Sequence, residues 1–358
     1  MIVSQNICFF NTTPFWGGGE KWHFEAALMC SQSNHKTFAV VYKNGELAKK
    51  LEQHPVQQKH ISVNNRSFLN PIKINQLVTF FTKHHIDTVI FNSPKDLKIG
   101  GKAAKKAGVK KIVYRRGIAV EVKKKALNEK LFKDVVTHFI FNSKATKLLL
   151  EKNFKAIIET KKTAIIYNAI DFEKKNINKP LNTTVVIGNA GRLVEQKGQY
   201  FLIDIAEKLR EKQLDFKIKI AGDGPLYDNL LRKIEKKNLG KHIELMGFVK
   251  DMNRFMSDVD IFVSTALWEG FGFVLAEAMA KEKPVLAFNL SSNPELIIHN
   301  ENGYLIEPKN ITEFSEKLEE LIIDNTLRNI MGKNAYQFAK NNFDKEQQFQ
   351  KLMEFIAD

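Results

Sequence analysis

The sequence predicts an α/β protein of two lobes in tandem, each an open parallel sheet with crossover helices. Three observations carry that expectation. At 358 residues the chain exceeds what one hydrophobic core usually organises. Short apolar runs alternate with amphipathic stretches from end to end, the pattern of strand–helix–strand units. The stretch Asp171–Thr183, rich in Lys and Asn and holding Pro180, has no apolar period and divides the alternation into two series, as a linker would.

In the first series the strand candidates are Ile7–Phe10, Phe38–Tyr42, Thr88–Phe91, Lys111–Tyr114, His138–Phe141 and Ala164–Tyr167, with helices expected near 20–30, 72–85, 96–107, 122–134 and 143–153. In the second the strands are Val185–Ile187, Lys217–Ile220, Ile243–Met246, Ile261–Val263, Val285–Ala287 and Tyr304–Ile306. Helices near 199–211, 226–237, 251–257, 272–281 and 293–298 separate them, and three more close the chain near 311–323, 326–341 and 345–356. Two Rossmann-like domains are the simplest account, over 1–170 and 184–335, with 336–358 as C-terminal helices.

Composition narrows the class. A hydrophobic content of 44% with 27% charged residues is that of a folded globular chain. Cys8 and Cys30 are the sole cysteines, without metal-ligand or paired spacing, which predicts a reducing compartment. The N-terminus lacks a signal-peptide pattern, and no apolar run approaches the roughly 18 residues of a membrane span. A soluble or membrane-peripheral cytoplasmic protein is the expectation. The net charge of +15 is lopsided: residues 1–170 carry 29 Lys and Arg against 11 Asp and Glu, and residues 171–358 carry 26 against 29. Two lobes with different partners would explain that split, an anionic membrane surface being one candidate for the basic half. A nucleic-acid-binding protein would need a charge stripe interleaved with exposed aromatics, and the sequence has none.

Two segments carry chemistry. In Trp268-Glu269-Gly270-Phe271-Gly272-Phe273-Val274-Leu275-Ala276-Glu277 a strand runs through a glycine-containing turn into a helix opening near Gly272. Such a turn aims N–H groups and the positive helix end at one point, a cradle for a diphosphate. Glu269 stands at its mouth, where a carboxylate can accept hydrogen bonds from sugar hydroxyls. Glu277, further along the helix, leans back toward it amid apolar neighbours that disfavour an idle carboxylate. In Gly188-Asn189-Ala190-Gly191-Arg192-Leu193-Val194-Glu195-Gln196-Lys197-Gly198, also between strand and helix, Arg192 offers a planar fork and Lys197 a mobile charge, suited to neutralising a leaving diphosphate. Asp258-Val259-Asp260 has metal-binding Asp-x-Asp spacing but sits where a helix leads into a strand, so no metal site is expected.

With Gly222-Asp223-Gly224-Pro225, these segments resemble glycosyltransferase family 4, the retaining GT-B enzymes, over residues 164–310. The shared features are two glutamates with seven residues between them, as Glu269 and Glu277 have, and Gly191-Arg192 followed by Lys197-Gly198. The resemblance implies a GT-B architecture of two domains facing across a cleft, with the C-terminal helix packing back on the first. It implies a retaining, metal-independent transfer from a nucleotide-diphosphate sugar, which is substrate rather than cofactor, to a polar glycan acceptor, free or lipid-linked, such as lipopolysaccharide. In that scheme Arg192 and Lys197 hold the diphosphate, assisted by Gly191, Gly222 and the backbone of Phe271, Gly272, Phe273 and Val274. Glu269 contacts the donor sugar, Glu277 the ribose, and the backbone of Phe248 and Val249 the base. Gly17, Gly18 and Gly19 form the family's glycine-rich loop after the first strand. The sequence departs from the family at Arg116, where many members place a histidine; an arginine there offers charge to phosphate or to an anionic acceptor, or is equally a surface basic residue. A GT-B nucleotide-sugar epimerase is the alternative with the same architecture.

Overall fold

The structure is a computed structural model that describes residues 4–33, 35–172 and 184–357. The chain divides into two compact units, Met1–Ala169 with Glu346–Asp358, and Ile170–Lys345. Most of the expected linker, 173–183, lies outside the described residues. The expected break at 336 falls inside the helix Asn325–Phe343, so the returning segment is shorter than the sequence indicates and begins at Glu346.

The first unit holds a seven-stranded parallel sheet: β1 (Asn6–Asn11), β2 (Lys36–Val41), β3 (Gln57–His60), β4 (Thr88–Phe91), β5 (Lys111–Arg116), β6 (His138–Phe141) and β7 (Lys162–Ile165), in the order β3-β2-β1-β4-β5-β6-β7. The second holds β8 (Val185–Ala190), β9 (Phe216–Ala221), β10 (Ile243–Gly247), β11 (Ile261–Ser264), β12 (Val285–Phe288) and β13 (Gly303–Ile306), ordered β10-β9-β8-β11-β12-β13. In both units the first strand lies between its second and fourth neighbours in sequence order. The chain reverses its direction of sheet growth there, and the two flanking loops diverge to leave a crevice at the carboxyl edge.

Burial explains why these segments are strands. Every residue of β4, β6, β11 and β12 is buried, which reads in sequence as a largely apolar run, polar only at Thr88, His138 and Ser264, covered on both faces. Along β1 the faces alternate: Cys8 and Phe10 pack with Phe38, Phe91 and Tyr114 on one side, Ile7 and Phe9 with Trp22 and Ala26 on the other. Leu352, Met353 and Ile356 of the C-terminal helix Lys345–Ala357 join that second cluster. Each such side chain contributes about 1.5–3 kcal/mol by leaving water. Lys111 donates to the carbonyls of Ile356 and Ala357, and Gln5 Nε2 to Ile356 at 3.2 Å.

Two elements escape the periodicity. Strand β3, Gln-Gln-Lys-His, has no apolar pattern because it is an edge strand, held by its register with β2 (Phe38↔Gln57 to Val41↔His60). The helix Glu46–Leu51 is too short for its period to stand out. The expected helix at 96–107 is a composite, a turn at Pro94–Asp96, a π-helical turn at Leu97–Gly101 and a helix at Lys102–Lys106. Gly100 explains its tight seat: a Cβ there would lie 2.4 Å from Phe91 and 2.7 Å from Phe10. The expected helix 122–134 forms from Ala126 to Asp134, leaving 117–125 irregular. Asp260 holds the position expected for a strand boundary. Its carboxylate accepts from the Val186 N–H at 2.8 Å while its own N–H donates to the Val186 carbonyl at 2.7 Å, tying β11 to β8. No helix among the described residues is long and apolar enough to cross a membrane.

Candidate functional site

In the second unit the loops after β8 and β9 lie backbone against backbone. Gly191 N–H donates to the Ala221 carbonyl at 2.9 Å, Gly222 N–H to Gly247 at 2.8 Å and Leu193 N–H to Asp223 at 2.9 Å. Gly222 and Gly224 have φ of +152° and +157°. A Cβ at Gly222 would meet the Gly191 carbonyl oxygen at 2.0 Å, and one at Gly224 the Leu193 carbonyl oxygen at 2.5 Å. Only glycine fits this approach.

From Leu193 the loop turns through a 3₁₀ turn at Glu195–Lys197 and is tied to the loop after β11. Gly198, at φ +60°, lies so close to Thr265 that a Cβ would be 2.3 Å from its carbonyl oxygen. Leu267 N–H donates to the Gln196 carbonyl at 2.8 Å, Gln196 Nε2 to the Trp268 carbonyl at 2.8 Å and Thr265 Oγ1 to the Lys197 carbonyl at 3.2 Å. These ties bring Lys197 Nζ onto the Glu269 carboxylate, an ion pair whose side chains are 22% and 13% exposed. The Glu269 carbonyl in turn accepts from Ser291 Oγ at 2.6 Å and Ser292 Oγ at 3.2 Å. Sequence spacing could not supply that contact, which joins residues 72 positions apart.

The remaining second-unit candidates line the same carboxyl edge. Arg192 leaves its backbone in the loop, where its carbonyl accepts from Gln199 Nε2 at 3.2 Å, and its side chain is exposed. Gly272, at φ +86°, starts the helix Phe273–Met279 beside Phe271, which is buried against Phe343 at 5.0 Å between ring centroids. Val274 and Glu277 of this helix are half-buried. Past β10 and Gly247 (φ +65°), Phe248 is 81% exposed and Val249 half-buried.

In the first unit, Gly17 precedes the helix Gly18–Gln32 and its carbonyl accepts the Lys21 N–H at 2.9 Å. A Cβ at Gly19 would be 2.2 Å from Asn92 Nδ2, so a larger residue there must displace that side chain. Asn92 Oδ1 accepts from Arg115 Nη1 at 2.8 Å, and Asn168 Oδ1 accepts from Nη2 at 2.5 Å. The guanidinium lies 4.3 Å from the Trp22 ring centroid. Burial lowers the Arg115 pKa to about 9, with the Glu20 charge opposing the shift. Glu20 is itself buried and accepts from Asn11 Nδ2 at 2.9 Å. Burial and then the Arg115 charge hold His23 well below the usual histidine range, so its ring is neutral.

Sequence reasoning did not single out Asn11, Asn92, Arg115 or Asn168. A signal was present: Phe10-Asn11, Phe91-Asn92, Phe141-Asn142 and Tyr167-Asn168 each put an aromatic residue and then asparagine at or just past the end of a strand. Arg115 and Arg116, adjacent in β5, point to opposite faces. Arg116 is 5% exposed, donates Nη2 to the Val120 carbonyl and lines a cavity with Tyr114, away from Trp22 and the glycine loop's helix. Among the described residues no group of three His, Cys, Asp or Glu is placed to hold a metal ion.

Comparison with known proteins bears on the family and the fold. Residues 169–338 match the family model of the glycosyl transferases group 1. The chain is 31% identical over 190 residues to the poly(ribitol-phosphate) alpha-N-acetylglucosaminyltransferase of Staphylococcus aureus, covering 52% of this chain and 38% of that one. It is 29% identical over 318 residues to the UDP-Gal:alpha-D-GlcNAc-diphosphoundecaprenol alpha-1,3-galactosyltransferase of Escherichia coli, covering 82% and 81%. The chain spans about half the length of most curated relatives it matches. Anabaena HepE in complex with UDP superposes with a TM-score of 0.85 at 22% identity, covering 99% of this chain and 100% of that one. The fold is the GT-B class that the motifs imply.

The glycine contact makes a prediction. Gly222→Ala forces a Cβ into the Gly191 carbonyl, whereas Gly240→Ala meets nothing within 4 Å. Such strain costs on the order of 1–3 kcal/mol, and at roughly 2–4 °C per kcal/mol calorimetry should read a Tm lowered by several degrees in the first variant alone. Equal melting of the two variants would remove the constraint.

Proposed function

We propose that this protein, whose residues 169–338 form a group 1 glycosyltransferase domain, transfers a sugar from a nucleoside-diphosphate donor to an acceptor hydroxyl in bacterial envelope glycan synthesis. The observation that carries the reading is the Lys197–Glu269 pair at the β8–β11 crevice, with Arg192 on the same glycine-shaped loop. Lys197 and Arg192 take the diphosphate of the donor. The Lys197 ammonium, already oriented by one Glu269 oxygen, has further N–H groups to give a phosphate, and Glu269 faces the hydroxyls of the sugar. Gly191, Gly222 and the backbone from Phe271 to Val274 allow close approach, Glu277 holds the ribose diol, and the base lies along Phe248 and Val249.

The chemistry is electrostatic. As the bond from the anomeric carbon to the diphosphate oxygen lengthens, negative charge collects on the leaving group, where fixed cations stabilise it. The acceptor hydroxyl adds from the face the diphosphate leaves, passing its proton to the departing oxygen, so the anomeric configuration is retained. The E. coli relative's name specifies a diphosphoundecaprenol acceptor, and a lipid-linked glycan at the inner face of the membrane is the acceptor class proposed here.

Transfer assays with nucleotide sugars test the clamp. Arg192→Ala and Lys197→Ala should each lose about thirty-fold to several-thousand-fold in kcat/KM, the equivalent of about 2–5 kcal/mol for truncating one partner of a desolvated charge pair. Glu277→Gln should raise the donor KM more than it lowers kcat, because the ribose is remote from the bond that breaks. Wild-type rates in both cation variants, or donor interconversion with no acceptor, would sink the assignment.

Metal removal is a second test. With two cations on the diphosphate, transfer should survive EDTA treatment; loss of activity restored by Mg²⁺ or Mn²⁺ would contradict the electrostatic scheme.

A third test concerns the basic first unit. Each Lys or Arg near an anionic bilayer contributes about 1 kcal/mol, fading over a Debye length of about 8 Å at physiological salt. Sedimentation with anionic vesicles should therefore be salt-reversible and weakened when the exposed Lys102, Lys106 and Lys110 are changed to Glu. Equal binding to neutral vesicles, or none to either, would favour a soluble acceptor.

A further inference from the structure

The cavity beside β5 in the first unit is not used by the diphosphate clamp. It has a volume of about 470 Å³, within the range of small-molecule sites, and is broadly open to solvent. It has room for a short chain with a polar head. Its inner wall is apolar: Leu97 from the π-helical turn, Tyr114 from β5, and Leu131 and Phe132 from the helix Ala126–Asp134. Tyr114 and Phe132 stack at 5.7 Å, and the wall belongs to the core on that face of the sheet. At the mouth, Ile118 and Val120 are 49% and 52% exposed.

The lining charges are one-sided. Lys98, Lys123, Lys125 and Arg116 face one carboxylate, Glu121, among the lining residues. Arg116 is the unusual member, since a guanidinium cannot shed its proton to relieve burial. Its partners are neutral, the Val120 carbonyl and the Tyr114 hydroxyl. Asp96, the buried carboxylate on the adjoining turn, is already taken up by the Thr12 N–H at 3.1 Å, the Thr12 hydroxyl and the Ser93 hydroxyl at 2.7 Å. A buried charge held by neutral groups favours an anion, and the planar fork suits a phosphate. A free anion would gain nothing from the apolar wall or the exposed Ile118 and Val120. An amphiphile uses both.

We propose that this cavity binds a phosphate-bearing amphiphile, its phosphate on Arg116 with Lys123 and Lys125 at the rim, and its first carbons against Leu97, Leu131 and Phe132. Identifying that amphiphile as the lipid-phosphate end of the acceptor rests on the transferase reading; the binding itself does not. Arg116 then serves the acceptor, one of the two uses its position in the sequence leaves open.

Calorimetric titration of the whole chain tests this with three probes: decyl phosphate below its micellar concentration, decyl maltoside as the neutral amphiphile, and inorganic pyrophosphate as the free anion. Decyl phosphate should bind saturably and at least about ten-fold tighter than either control, and Arg116→Gln should weaken it by at least about ten-fold, as loss of one charge-assisted pair predicts. Val120→Glu, at a half-exposed mouth position that folding should tolerate, should weaken it similarly by placing a carboxylate against the phosphate. Equal affinity for decyl maltoside would make the cavity a mere apolar groove, and pyrophosphate binding as tightly as decyl phosphate would make it an anion site. Either result overturns the proposal, as would affinities within two-fold of wild type in both variants. Decyl phosphate binding that persists when no sugar transfer is found supports the site and removes the transferase reading instead.

Discussion

The candidate donor site depends on a contact that has no side chains in it. Gly222 lies so close to the Gly191 carbonyl that a single methyl would drive the two loops apart. Because they are in contact, the loop after β8 leaves its sheet at a defined angle and runs toward the loop after β11. The hydrogen bonds of Gln196, Leu267 and Thr265 then set the direction of Lys197. The ammonium is thus positioned by backbone packing two steps removed from it. Fixed charge of this kind needs little reorganisation when a negative group arrives, which is where electrostatic catalysis draws its advantage over water.

The first unit solves a different problem. There a buried cation, Arg115 of β5, is held against Asn92 just past β4. Removing a guanidinium from water is costly unless its donors are met. Asn92 and Asn168 meet two, the Trp22 face offers its quadrupole, and Glu20 supplies charge of opposite sign. Asn92 also abuts Gly19, so the buried cation and the glycine loop share one asparagine. That sharing is a reason for the loop to be rigid at a point where three successive glycines would otherwise make it loose.

Adjacent charges in β5 show how strand geometry divides labour. Successive side chains of a strand point to opposite faces, so Arg115 joins the Trp22 side while Arg116 joins Tyr114 and the cavity. As a bare Arg-Arg pair the two look interchangeable. In the sheet they belong to unrelated environments, one spanned by asparagines and an indole, the other by a carbonyl, a phenol and a lysine-rich rim.

What the sequence determined by itself was the set of elements that bury on two faces or turn on glycine. The largely apolar runs at 88–91, 138–141 and 261–263 read as interior strands, and the glycines at 191, 222 and 272 as turns, because few other structures accommodate such residues. The positions of Arg192, Lys197, Glu269 and Glu277, in or past a glycine turn after a strand, were legible for the same reason, whereas the role proposed for each comes from the family resemblance. The edge strand β3, without an apolar pattern, was not legible, nor was the point at 346 where the chain rejoins its first unit. Only the tertiary structure decided which polar groups meet. Lys197 and Glu269 are 72 residues apart, and Arg115 and Asn168 are 53 apart. Local propensity acts over a few residues, whereas those pairings follow from strand order, which is set when whole apolar faces pack together.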